Sequence, residues 1–397
     1  MMNKKIYCDY AATTFVSGEV MQEMMPCFNT VWGNASSLHS FGREAVALVD
    51  RARDRVAKAI NAEKSSEVYF TSGGTEANNW AIKGIARANR AKGNHIITSA
   101  IEHESVLEAC RQLEAEGFVV TYLPVDEHGL VSITDLIHSI NEKTSLVSVM
   151  SVNNEVGTVQ NIKTIANIAH EYGAIFHTDA VQAIGALKMN VKDMDVDVMS
   201  ISGHKIYAPK GVGALYVKNG VKIEPILAGG NQERGLRAGT TNVPSIVGFG
   251  KAIEIATRDL VINQKKLKSI RNYFLSKVAE NINDVQVNGH PYQKVQGTVN
   301  ISFKFVEAEA LLTLLDMAGI AVSTGSACTS GSTLPSHVLK AMGLSTELAK
   351  GTIRFSFGKS TTKEDVDYIV EKLTESVAKL RELSPKSKRG RKRKEDK

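Results

Sequence analysis

The stretch EVYFTSGGTEANN, residues 67–79, decides the fold. Val68, Tyr69, Phe70 and Thr71 are β-branched or aromatic and read as a strand. Gly73 and Gly74 then allow a tight turn. EANNWAIKGIARANRAKG continues as a helical pattern. Outward from this unit the alternation repeats from about residue 66 to 218. HIITSAIEH, FVVTYLPV, TSLVSVMSV, AIFHTDAV and DVMSIS read as strands, and VGALYVK closes the series. SVLEACRQLEAEG, ITDLIHSIN and IKTIANIAHEYG read as helices between them. Such alternation predicts an α/β fold with a mostly parallel seven-stranded sheet and helices on both faces.

Upstream, REAVALVDRARDRVAKAIN places Val46, Val49, Ala52, Val56 and Ile60 on one helical face. Beyond Gly250 the pattern changes. One long polar helix is expected from about Lys251 to Asn283. A strand GTVNISFKF, a helix EAEALLTLLDMAG, a strand TIRFSFG and a last helix EDVDYIVEKLTESVAKLREL follow. The expected organisation is a large domain over 15–255 and a smaller α+β domain from 1–14 and 256–384. Residues 385–397 form a basic tail, expected to be disordered. That tail carries eight Lys/Arg against two acidic residues, which accounts for the whole net charge of +6. The neutral body and the absence of aromatics interleaved in the tail argue against a nucleic-acid-binding protein. No window reaches the roughly 18 consecutive apolar residues of a membrane helix. The start, MMNKKIYCDYAATT, lacks the apolar core of a signal peptide. Four cysteines (Cys8, Cys27, Cys110, Cys328) without metal-ligand spacing suit a reducing cytoplasm.

Ligands of a parallel α/β sheet bind at the carboxyl ends of its strands, and chemistry-bearing residues follow the strands here. TSGGTEAN offers Gly74, Thr75 and a helix N-terminus to an anion such as a phosphate; a glycine turn capped by Thr75 would look the same. HTDAVQ puts Asp179 and Gln182 after a strand, where Asp179 also fits an N-cap. SGHKIYAPKG puts Ser202, His204 and Lys205 after another, and a desolvated Lys205 is a candidate Schiff-base nucleophile, against a plain surface lysine. His103 follows a fourth strand. Together these describe one ligand with a phosphate, a ring nitrogen facing a carboxylate, and an aldehyde: pyridoxal 5'-phosphate (PLP). Asp179 would hold the ring nitrogen protonated, Lys205 the aldehyde carbon, and Thr75, Ser202 and His204 the phosphate. Gln182 would bond the ring hydroxyl and His103 would stack on the ring.

DYAATT, NASSLHSFG, FTSGGTEANN, EHES, NNEVG, HTDAVQ, SGHKIYAPKG, RAGTTNV, SGSACTS and IRFSFG occur in that order. The set, spanning about residues 5 to 380, resembles the cysteine desulfurases, more narrowly the NifS/IscS-like branch of the class V aminotransferase-like PLP enzymes. The resemblance implies a fold-type I homodimer that takes sulfur from L-cysteine, giving L-alanine and a persulfide on Cys328. It implies that Lys205 carries PLP, that Asn154 lies by the ring and the substrate carboxylate, and that Arg354 grips that carboxylate. His103 would act as general acid/base, and Thr240 would reach the phosphate of the other subunit's cofactor. The acceptor would be an iron–sulfur scaffold or another sulfur-acceptor protein, with tRNA thiolation a further destination. The Cys328 persulfide would then be a candidate metal ligand to a nascent iron–sulfur cluster shared with a scaffold. Asn231 and Ala208 stand where the family commonly has glycine. Another class V reaction, on selenocysteine or as an aminotransferase, is the competing reading; Cys328 argues against a plain aminotransferase. VSTGSACTSGS, residues 322–332, supplies nothing to bury Cys328, so a swinging sulfur carrier is expected.

Overall fold

The computed structural model describes residues 4–324 and 335–384. Cys328, its expected mobile loop and the basic tail 385–397 lie outside the described residues. Twelve strands occur among the described residues: β1 (Ile6–Tyr7), β2 (Val68–Thr71), β3 (His95–Ser99), β4 (Val119–Leu123), β5 (Thr144–Ser148), β6 (Ile175–Asp179), β7 (Val198–Ser202), β8 (Gly213–Val217), β9 (Val285–Asn288), β10 (Thr298–Phe303), β11 (Ile320–Ala321) and β12 (Thr352–Ser356).

The expected seven-stranded sheet is present, in the order β2-β8-β7-β6-β5-β3-β4. Pairs from β7 through β4 are parallel, and β8 runs antiparallel to both its neighbours. Strands β3, β5, β7 and β8 are buried along their whole length. Such burial explains their continuous apolar runs, because helices cover both faces. On one face, helix Ser40–Ala59 packs against helix Val243–Arg258. Their approach is close enough that a Cβ on Gly250 would lie 2.7 Å from Ala52. The opposite face carries the helical run that begins at Gly74, with Trp80 buried and its indole N–H donating to the Glu224 carbonyl at 2.9 Å.

A second hydrophobic core surrounds the three-stranded sheet β12-β10-β9 and the helices Leu260–Asn281, Ala308–Met317 and Lys363–Leu383. The N-terminal segment joins this core, β1 pairing parallel to β11. It then crosses to the large sheet, where Thr14 N–H donates to the His204 carbonyl and Ser17 N–H to the Tyr207 carbonyl.

Three expectations need correction. Val46 is 38% exposed, because the buried stripe of its helix runs through Ala45, Val49, Ala52 and Val56. The single helix from Lys251 is two helices, parted at Asp259. The helix after Gly74 includes a π-helical turn over Trp80–Gly84. The sequence reading also passed over β9, whose two central residues are exposed and whose apolar signal is weak.

Candidate active site

The stretch that decided the fold also builds the first wall of the site. After β2, Gly73 takes φ +153°, outside the range comfortable for a side chain. The helix then starts at Gly74, where a Cβ would meet the Val181 side chain at 2.8 Å. Gly74, Thr75, Ser202 and His204 line one depression, together with Thr13 and Lys210. Ser202 is 2% exposed, and its hydroxyl has no hydrogen-bond partner among the described residues. A buried hydroxyl left open at a helix start is a ready donor for an oxyanion. His204 Nδ1 lies 3.1 Å from the Thr13 hydroxyl. Burial, with help from Lys205 and then Lys210, pushes the His204 imidazole down to about 4, so it is neutral near pH 7.

Lys205 ends the short turn after β7. Its ammonium donates to the Ala11 and Ala12 carbonyls at 2.6 and 2.7 Å. The Gln182 amide donates to the same Ala11 carbonyl at 2.9 Å. Asp179, 6% exposed, ends β6. One of its oxygens accepts from Asn78 Nδ2 at 2.7 Å and the other from the Val181 N–H at 2.9 Å. A carboxylate has about four lone-pair sites, so acceptor capacity remains. His103 caps helix Glu104–Ala115, its Nδ1 lying 3.1 Å from the Ser105 N–H and 2.8 Å from the Ser105 hydroxyl. Asn78 Nδ2 donates to that same hydroxyl at 2.9 Å, which links His103 to Asp179 through two side chains.

Arg354, on β12, is 2% exposed. It donates through Nη1 to the Asn154 carbonyl at 2.9 Å and through Nη2 to Asp9 at 2.8 Å, while Nε has no partner among the described residues. Asn154 is half-buried beside it, and Thr240 lies exposed at the end of the 229–240 loop. The residues bordering the Cys328 segment are stitched to the same site. Ser323 and Arg354 exchange backbone hydrogen bonds at 3.2 and 2.7 Å. On the far side, the Ser336 hydroxyl donates to the buried Glu155 carboxyl at 2.6 Å. His337 Nε2 lies 3.0 Å from the Glu102 carbonyl.

Several residues of this neighbourhood escaped the sequence reading. Asn78 sat inside a quoted motif, but only its contact with Asp179 reveals its part. Glu102, fully buried, accepts from the Met150 N–H at 2.9 Å and from the Ser99 hydroxyl. Burial pushes its carboxyl up to about 8, with Asp179 adding to the rise. Two forked arginine–carboxylate pairs fix the loop before Thr240. Arg53 holds Glu233 through two 2.7 Å bonds, and Arg237 holds Glu76 at 2.7 and 3.0 Å. Glu233 and Arg234 have φ of 45° and 59°, a strained backbone held by these contacts. Asn231 precedes that turn at φ −83°, and Ala208 is buried with a φ outside the left-handed region, so neither position requires glycine.

The class-V aminotransferase profile matches residues 6–369. A cysteine desulfurase IscS of Clostridium botulinum (strain Hall) is 52% identical over 386 residues, covering 97% of each chain. The cysteine desulfurase IscS of Methanosarcina thermophila is 50% identical, covering 96% of this chain and 94% of its own. Among solved structures, a NifS-like protein superposes with a TM-score of 0.89 at 38% identity, covering 94% of this chain and all of its own. Sequence profile, relatives and backbone agree over nearly the full length: the chain belongs to the class-V aminotransferase family and, within it, to the cysteine desulfurases.

Proposed function

We propose that the chain is a PLP-dependent cysteine desulfurase that works as a homodimer, with a large domain over 15–255 and a smaller one from 1–14 and 256–384. The observation that carries the cofactor assignment is the unpartnered, buried Ser202 hydroxyl facing the same depression as Gly74, Thr75 and His204. That donor set, next to Lys205 and Asp179, fits a phosphate joined to a pyridine ring. Ser202, Thr75 and neutral His204 would hold the phosphate, Asp179 the ring nitrogen, Gln182 the ring hydroxyl and Lys205 the aldehyde carbon. When bound, PLP supplies an electron-withdrawing ring that takes up charge from the substrate Cα and weakens the Cβ–sulfur bond. Asn78 and the Val181 N–H hold the Asp179 carboxylate in place for the ring nitrogen. Lys205 Nζ moves the proton at the substrate Cα. Arg354, held by Asp9 and the Asn154 carbonyl, presents its remaining donors to the substrate carboxylate. His103, fixed through Nδ1, exchanges a proton at the substrate thiol through its other nitrogen.

Cys328 acts as a thiolate. It forms the new sulfur–sulfur bond as the substrate Cβ–sulfur bond breaks. The carbon keeps the electron pair, takes up a proton and leaves as L-alanine. The resulting persulfide is passed to an acceptor protein in the cytoplasm, such as an iron–sulfur scaffold. Exposed apolar side chains between Met21 and Phe41 (Met25 53%, Phe28 61%, Trp32 66%, Leu38 91%) are the surface a partner subunit would cover. Exposed Thr240 would reach the partner's cofactor.

The test uses three proteins given L-cysteine and a thiol reductant. Wild type releases sulfide and alanine. Lys205→Ala binds the cofactor without turnover. Cys328→Ala binds cofactor and cysteine but forms no protein persulfide; wild-type sulfide release from Cys328→Ala would sink the mechanism.

A further inference from the structure

A second cavity, of about 550 Å³, lies away from the depression and shares no lining residue with it. Its walls come from three segments: the turn at Glu127–His128, helix Leu260–Asn281 through Arg271 and Asn272, and β9 with the following loop to Lys294. Lys294 is 6% exposed. Its ammonium has no hydrogen bond or ion pair among the described residues, although its backbone is locked by bridge pairing to Thr158. Burial pushes it down to about 8, and Arg271 beside it pushes the same way. The Arg271 guanidinium bonds the Asn272 side-chain oxygen at 3.1 and 3.3 Å and meets no carboxylate among the described residues. Glu127, the acidic residue on the wall, is exposed and lies 3.7 Å from His128 Nε2.

A buried ammonium and a half-buried guanidinium side by side, with no carboxylate bonded to either among the described residues, repel each other and lose hydration. Folding tolerates this where an anion from solution completes the cluster. A planar fork, a point-charge ammonium and an imidazole arriving from three segments surround a multi-oxygen anion better than one flat carboxylate. We propose that this cavity binds a small phosphate-bearing anion, held by Lys294, Arg271 and His128. The anion would bridge the turn beside the large sheet to the body built on the three-stranded sheet.

The test is calorimetric titration of the PLP-loaded enzyme, whose cofactor phosphate site is already filled, at matched chloride ionic strength. Inorganic phosphate and adenosine monophosphate are the two probes. Saturable binding at one site per chain is expected. Lys294→Met and Arg271→Gln should each raise Kd by about tenfold or more, the loss of one charged hydrogen bond. Lys294→Arg should retain binding. Arg271 is only half-buried, so its variant keeps the fold even where Lys294→Met does not. Tighter binding of adenosine monophosphate would assign a phosphorylated metabolite, and equal affinities would assign free phosphate. No saturable binding of either probe, or an unchanged Kd in Arg271→Gln, would overturn the proposal.

Discussion

Strands β6 and β7 lie side by side, and their two ends differ. At the amino end of β7, Asp197 accepts from the Phe176 N–H at 2.9 Å and meets His170 Nε2 at 2.6 Å. His170 Nδ1 meets Asp195 at 2.9 Å, and Lys218 reaches both carboxylates at 3.2 and 3.4 Å. Every charged group in that cluster has an opposite partner. At the carboxyl ends the Ser202 hydroxyl has no partner among the described residues, and neither does the side-chain oxygen of Asn78, whose amide nitrogen holds Asp179. Buried polar groups left open cost on the order of 1–3 kcal/mol each. A fold keeps them where something else completes them. The closed end holds the strands together, and the open end is shaped for a ligand. The contrast can be broken by substitutions that act on one kind of group and leave the other alone.

The largest effect is expected at a closed group. Arg53→Ala removes the cationic partner of Glu233, whose side chain is 8% exposed, and leaves a buried carboxylate with the Phe70 N–H in place of a charge. Breaking such a pair typically costs about 3–5 kcal/mol. Chemical denaturation of the cofactor-free protein should show that loss. A loss below about 1 kcal/mol would mean that the loop before Thr240 is held by other contacts. Next comes Asp179→Asn at the open end. Its shape is kept, and the thermal midpoint of the cofactor-free protein should stay near wild type. Desulfurase turnover should fall by about 10²–10³, the usual result of deleting a fixed electrostatic group at a reacting centre. A variant that unfolds early yet turns over normally would reverse the assignment of the two ends.

Most of the sheet was legible, because strand runs such as HIIT and DVMSIS are bounded by turns and separated by helical patterns. The residues just past the strands were legible for the same reason, since the fold class says where to look. Three kinds of feature were not. Asp259 parts two helices inside a stretch rich in helix formers, where nothing local marks the break. Arg354 with Asp9 and Arg53 with Glu233 meet across 345 and 180 positions of sequence, which no periodicity reports. Glu102 looks like any acid beside a histidine until its complete burial is seen. Val46 failed for a geometric reason: Ala45 and Val46 are 100° apart on a helix, and only packing chose between them.

Ser202→Ala sharpens the contrast at a smaller scale. Removing an unpartnered hydroxyl should leave the cofactor-free protein at least as stable as wild type. Affinity for PLP should drop about tenfold or more, since a hydrogen bond to a charged group contributes roughly 1.5–3 kcal/mol. Cofactor titration with thermal unfolding in the absence of PLP separates the two. An unchanged affinity would remove Ser202 from the phosphate site.

The smallest effect belongs to His170 at the closed end. Asp197, and with it Asp195, raises the His170 pKa above the ordinary 6.5, against the opposing effect of partial burial. The native state therefore binds this proton more tightly than the unfolded chain does. The stabilisation is fully present below about pH 6.5 and disappears as pH rises through the higher folded-state value. The cluster is partly open to solvent, so the difference should stay below about 1 kcal/mol. In His170→Gln the amide keeps a bond to one aspartate but cannot titrate. The gap in thermal midpoint between wild type and His170→Gln should therefore be widest near pH 6 and shrink towards pH 9. A constant gap across that range would show that His170 holds the amino end of β7 through neutral hydrogen bonds alone. Asp197 and Lys218 would then carry the charge pairing, and the closed end would not weaken above neutral pH.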